Sequence, residues 1–159
     1  MTTNRKPGSK PASKAGAKPA GNSGTRAANK SARDVAHKVL MKVLTGSSLS
    51  SLQAVTIDAL PDKRDRGLAS ELVYGVLRHY WQIDYLLSCL LSKPLKSKDD
   101  DIRLHLLLGL YELWQCRTPD YAVVNETVNK VRKSRKKWAA SMINAVLRRF
   151  EREKQSLEQ

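Results

Sequence analysis

The chain has 159 residues, with 29 Lys+Arg against 15 Asp+Glu and a formal net charge of +14; this length fits one domain. Its two cysteines, Cys89 and Cys116, have no C-x-x-C spacing and no neighbouring His, which argues against a disulfide framework or a zinc site and suits a reducing compartment, the cytoplasm. The longest apolar stretches fall short of the roughly 20 residues needed to span a bilayer, so no membrane association is expected.

Residues 1–30 carry seven basic residues, no acid, and no Val, Ile, Leu or aromatic. Such a segment cannot bury enough apolar surface to offset its ordering entropy, so it reads as a disordered basic tail ahead of a domain over residues 31–155. It has no apolar stretch of the kind a secretory signal requires, and its Pro and Gly would spoil an amphipathic transit helix.

From Ser31 onward the pattern is helical. Ser31-Ala-Arg-Asp34 reads as a capping box opening a first helix with Val35, Val39 and Val43 on one stripe, and Gly46 ends it in a left-handed cap. A short second helix carries Leu49, Leu52 and Val55. A third spans about Asp62 to Arg78 with Leu68, Leu72, Val73, Val76 and Leu77 inward; Gly75 within it points to close approach by another helix. Asp84 is expected to cap a fourth helix over Tyr85–Leu91. Ser97-Lys-Asp-Asp100 reads as a second capping box before Ile102–Trp114, which is apolar on nearly all sides and so belongs at the centre. A sixth helix follows Thr118-Pro119-Asp120 with Val124, Val128 and Val131 inward. The seventh, about Lys137–Glu153, is expected to turn Trp138, Met142, Ile143, Val146, Leu147 and Phe150 to the core. The fold class is therefore all-α, a bundle of about seven helices.

Catalytic signatures are absent. There is no G-x-G-x-x-G, Walker loop, H-E-x-x-H or G-x-S-x-G. His37, His79 and His105 lie on different helices, and His105, among leucines, reads as a core histidine. Cys89 reads as buried and Cys116 as partly exposed, neither as a nucleophile. The triplet Asp99-Asp100-Asp101 suits the positive end of a helix dipole better than a metal, and Glu126 suits a hydrogen bond to a neighbouring helix. No catalytic, cofactor or metal residue is assigned.

Positive charge gathers in three places: the tail running into Arg33 and Lys38; the run Arg132-Lys133-Ser134-Arg135-Lys136-Lys137; and Arg148-Arg149. Lys63, Arg64, Arg66, Lys93, Lys96 and Lys98 add scattered charge, partly offset by nearby Asp. A basic surface beside a cationic arm points to nucleic acid, because each phosphate contact releases counterions. The lack of a helix-turn-helix signal and the loop position of the main cluster favour RNA.

Asp65-Arg-Gly-Leu-Ala-Ser-Glu-Leu-Val-Tyr-Gly-Val-Leu-Arg78, Gly109-Leu-Tyr-Glu-Leu113, Arg117-Thr-Pro-Asp-Tyr-Ala122, Asn125-Glu-Thr-Val128 and Ile143-Asn-Ala-Val-Leu-Arg-Arg-Phe150 resemble, in order, the NusB-like domain at the N-terminus of bacterial small-subunit rRNA cytosine-C5 methyltransferases. The transcription antitermination factor NusB shares that fold. The resemblance implies a helical bundle that binds RNA. In the methyltransferases it is followed by a catalytic domain using S-adenosylmethionine; in NusB the basic N-terminal region and first helix bind RNA together with NusE, a small-subunit ribosomal protein. By position it places Arg26, Lys30, Arg33 and Lys38 against RNA. The cofactor loop and nucleophilic-cysteine motif of those enzymes are missing here, so no cofactor is expected for this chain itself. The leading expectation is a module that positions 16S rRNA for methylation by an absent domain, and the chain reads as a fragment, a truncated product or a free-standing relative. The alternatives are a NusB-type antitermination factor binding RNA and NusE, and a protein-binding module whose tail only confers solubility.

Overall fold

The computed structural model describes Thr3 and residues 31–157, which form α1 (Ala32–Leu44), α2 (Leu49–Thr56), α3 (Lys63–Arg78), α4 (Tyr80–Leu90), α5 (Asp100–Gln115), α6 (Asp120–Arg132) and α7 (Ala139–Leu157). A single 3-10 turn, Ser97–Asp99, leads into α5, and no strand occurs among the described residues. The architecture is the all-α bundle of seven helices that the apolar periodicity predicts. Apart from Thr3, the expected tail over 1–30 lies outside the described residues, and Arg26 and Lys30 lie there with it.

Local signals decide several helix ends. The Ser31 hydroxyl accepts from the Asp34 N–H, and the Asp34 carboxylate accepts from the Ser31 N–H, a complete capping box. After α1 the chain turns on Gly46 at φ +108°, a conformation that a side chain disfavours. Asp62 caps α3 by accepting from the Arg64 N–H at 2.7 Å.

Two other helix starts depart from expectation. α4 begins at Tyr80 rather than Tyr85, because α3 passes into it through His79 alone. The His79 N–H donates to the Gly75 carbonyl at 3.0 Å, and its own carbonyl accepts from Ile83 at 3.0 Å. Asp84 is consequently mid-helix, paired with Arg103 of α5 rather than capping. Ser97 likewise makes no capping box: it opens the 3-10 turn, and no side chain caps α5.

α5 packs against α1, α3, α4, α6 and α7, the central position expected of a helix without a polar side. Leu104, Leu106, Leu107, Leu108, Leu110 and Leu113 are all buried, as are Ile143, Val146, Leu147 and Phe150 of α7. Gly75 lets α3 close on α5: a Cβ there would overlap the ring of Tyr111, whose hydroxyl donates to Glu71 at 2.9 Å. Three apolar expectations fail. Val55 is exposed on α2. Cys89 is exposed because the inward arc of α4 is taken by Leu86, Leu87 and Leu90. Trp138 is 56% exposed, since α7 starts one residue after it and its side chain escapes the helix period.

Gly75→Ala should destabilise the fold by about 1–3 kcal/mol, the range for forcing extra volume into a packed contact. A urea midpoint unchanged from wild type would show that α3 and α5 can part without penalty.

Candidate nucleic-acid interface

The α6–α7 connection is short and internally bonded. The Lys133 N–H donates to the Asn129 carbonyl at 3.2 Å, Ser134 Oγ donates to the Val131 carbonyl at 2.6 Å, and the Ala139 N–H donates to the Lys136 carbonyl at 3.0 Å. These bonds hold the five basic residues of the run on a tight turn. Arg132, Lys133, Arg135 and Lys137 are exposed. Arg132 reaches only Asn129 Oδ1, at 3.5 Å, and Lys133, Arg135 and Lys137 have no carboxylate partner among the described residues.

Lys136 does different work. Its ammonium donates to Asp101 Oδ1 and to the Lys98 carbonyl, both at 2.6 Å, and sits 3.1 Å from the buried Asp99. The hydrogen bond to Asp101, above all, raises its pKa. Partial burial opposes ionisation of Asp101, yet the bond from Lys136 takes that carboxyl below its usual value. Lys136 thus fastens the basic turn to the start of α5. The acidic triplet serves two ends: Asp100 and Asp101 lie in the first turn of α5, while Asp99 and Asp101 anchor the turn.

Beside this fastening lies an open groove of about 810 Å³ between the α4–α5 connection and α7. Leu90, Leu95, Met142 and Val146 line it, together with Lys93, Lys96, Lys98 and Trp138. The periodicity of α7 hid Trp138, and the three lysines all belong to the α4–α5 connection that forms this side of the groove.

The remaining expected cations are differently placed. Arg33 is turned inward: its Nε donates to Glu112 Oε2 at 2.9 Å and its Nη2 pairs with Oε1, and Glu112 is 1% exposed. Burial works against the Arg33 charge, but Glu112 outweighs it and raises the pKa. Lys38 is exposed on α1. Arg148 pairs with Glu151 at 3.1 Å; Arg149 pairs with Glu153 at 3.1 Å and donates to the Leu90 carbonyl at 3.3 Å, at the end of α4.

A second depression, of about 540 Å³, is lined by Asp34, His37, His105, Glu126, Asn129, Lys130 and Lys133. The two imidazoles, 68 positions of sequence apart if counted along the chain, are stacked here with ring centroids 3.9 Å apart. His37 Nε2–H donates to the Asp101 carbonyl at 2.9 Å. Burial lowers both pKa values, and with His37 beside it His105 falls to about 3. Glu126 is exposed at the edge; the buried acids among the described residues are Glu112 and Asp99.

Among the described residues no group of three or more His, Cys, Asp or Glu is placed to hold a metal ion, and no helix is long and apolar enough to cross a membrane. Burial, then Glu112, pushes the Cys116 thiol up to about 11, so it is protonated at neutral pH. The described residues do not fit S-adenosylmethionine either. Gly46 lies in the turn after α1, Gly67 and Gly75 about two turns apart within α3, and Gly109 inside α5, so they form no glycine-rich loop.

The model of the NusB family matches residues 30–152. Among curated proteins, the ribosomal RNA small subunit methyltransferase B of Pseudomonas putida is 42% identical over 123 residues, covering 77% of this chain and 28% of its own length. Proteins of the same name from Pseudomonas syringae and Escherichia coli are 40% and 34% identical, over 77% of this chain and 27% and 28% of their own lengths. The chain thus spans less than a third of these relatives.

Glu112→Ala should cost about 3 kcal/mol of stability by leaving the Arg33 charge half-buried and unpaired, whereas Arg135→Ala should stay within about 0.5 kcal/mol of wild type. Equal denaturation midpoints for the two variants would contradict this division. The histidine pair predicts a pH effect of definite sign. With folded pKa values below the ordinary 6.5, the unfolded chain takes up protons that the folded rings refuse. The stability is therefore fully present above about pH 6.5 and falls on acidification, by up to about 1.4 kcal/mol per pH unit per ring. Asp34 and Asp101, whose pKa values are also lowered, act in the same direction only near and below the ordinary carboxylate range. His105→Phe should flatten the dependence of urea stability between pH 7 and pH 5, and an unaltered slope would show that the rings do not titrate as described.

Proposed function

The chain belongs to the NusB family, and on that premise we propose that it is an RNA-binding module whose cationic α6–α7 turn takes hold of the phosphate backbone. The observation that carries this reading is the set of exposed cations on a rigid turn, with Lys133, Arg135 and Lys137 lacking carboxylate partners among the described residues. Unpaired ammonium and guanidinium groups held together repel one another, and a polyanion removes that repulsion while releasing counterions. Arg132 extends the face, and Lys38, Arg26 and Lys30 are assigned to it from the sequence. Arg33, Lys136, Arg148 and Arg149 already have acidic partners, so their part in RNA binding is to hold the surface in shape.

The relatives are named as ribosomal RNA small subunit methyltransferases. On that likeness the module's RNA is small-subunit rRNA, which it positions for S-adenosylmethionine-dependent methylation of a cytosine by catalytic residues outside those present here. A second reading is supported by the family match itself, which spans the helical bundle and needs no catalytic partner: an antitermination factor of the NusB type, binding a leader RNA together with the small-subunit protein NusE. Both readings suit the cytoplasm. Complex formation with NusE at micromolar concentration supports the second, and preference for an rRNA fragment with no NusE complex supports the first.

Affinity for an rRNA fragment should fall with salt, by about 0.7 in log–log slope for each single-strand phosphate neutralised. Joint replacement of Lys133, Arg135 and Lys137 by Ala should lower that slope by about 2 units with the fold intact by circular dichroism. An unchanged slope would remove the turn from the interface.

A further inference from the structure

The groove beside the turn combines features that a phosphate-binding surface alone does not need. Trp138 keeps 56% of its surface exposed at a lip where Lys93, Lys96 and Lys98 also stand, and the walls below are apolar. An indole left in water is unfavourable, and what covers it must be flat and apolar on its face. What sits among three lysines must also carry negative charge. A nucleotide with its base turned out meets both demands in one unit, the base on the indole and its phosphates on the ammonium groups.

The form of the RNA follows from the same geometry. In an A-form duplex the bases are paired and stacked on one another, so a duplex presents phosphates and 2′-hydroxyls but no free base face. It can satisfy the lysines and leaves Trp138 uncovered. A single strand satisfies both. The backbone that carries the indole is held: Trp138 follows Lys137, whose carbonyl accepts from the Ala140 N–H at 3.1 Å, and the turn is fastened at Lys136 to Asp99 and Asp101. An aromatic side chain on a backbone fixed in advance has only its own rotamers to lose when a base arrives.

We propose that this groove is a single-stranded RNA subsite in which an unpaired base stacks on Trp138 while Lys93, Lys96 and Lys98 hold the neighbouring phosphates. It rests on the RNA-binding reading and specifies the form of RNA taken.

The test is fluorescence anisotropy with a labelled single-stranded fragment of small-subunit rRNA and the same fragment annealed to its complement. Wild type should prefer the single strand. Trp138→Ala should weaken single-strand binding about tenfold while leaving duplex affinity and the salt slope unchanged, and Trp138→Phe should restore most of the loss. Replacing Lys93, Lys96 and Lys98 together by Ala should instead lower the single-strand salt slope by about 2 units. An oligonucleotide with abasic sites should bind the wild-type protein as weakly as the intact one binds Trp138→Ala, which checks the stacking without altering the fold. If Trp138→Ala and the abasic strand both bind at full strength, the subsite is overturned while salt-sensitive binding through the turn stands. If no RNA is bound even at low ionic strength, the RNA-binding reading falls and the subsite with it.

Discussion

α5 packs against five other helices, so the polar groups along its enclosed length must be answered within the bundle. Glu112, 1% exposed, is the severest case, and Arg33 of α1 answers it with two parallel hydrogen bonds that a lysine could not supply. His105, about two turns earlier on the same helix, meets the same demand by staying uncharged against His37. At the helix start, Asp99 and Asp101 are answered by Lys136. The position of α1 relative to the core, and of the α6–α7 turn relative to α5, therefore follows from the need to satisfy three places on one enclosed helix.

That demand sorts the basic residues into two populations which the net charge alone merges. Arg33, Arg103, Lys130 and Lys136 each face an acid on another element and so hold helices together. Lys130 pairs with Asp34 and also donates to Ser31 Oγ at 2.6 Å, tying α6 to the capping box of α1. On the turn after α6, Lys133, Arg135 and Lys137 face no acid among the described residues, and Lys93, Lys96 and Lys98 stand around the groove. The surface is positive here because the nearest acids, Asp99 and Asp101, are engaged by Lys136.

What the sequence shows depends on how far apart the interacting residues are. The Ser31 box, the Gly46 turn, the leucine-rich α5 and the close approach at Gly75 depend on nearest neighbours or on helical period, and all are readable from the chain. Asp84 is misread as a cap because its real partner, Arg103, lies on the next long helix. The Ser97 segment has the composition of a capping box, but burial of Asp99 against Lys136 draws it into a 3-10 turn. The His37–His105 stack has no local signature, since the two rings lie on different helices, α1 and α5, and meet only in the folded bundle. Of the candidate interface, the basic run is plain from its density. The groove is not, because it needs the α4–α5 connection brought against α7, and because Trp138 falls in phase with the apolar stripe of a helix that begins just after it.

Lys136 joins the two halves of this organisation. It belongs by sequence to the most basic run of the chain, yet it spends its charge on Asp99 and Asp101 and on the Lys98 carbonyl. Those bonds draw the segment carrying Lys93, Lys96 and Lys98 towards the segment carrying Lys133, Arg135, Lys137 and Trp138, against the repulsion between two lysine-rich stretches. The buried carboxylate makes that approach tolerable by placing negative charge where the two would otherwise meet. The cations are thus gathered before any polyanion arrives, and the binding free energy is not consumed in collecting them. Stability at the start of α5 and charge density at the surface come from the same ion pairs.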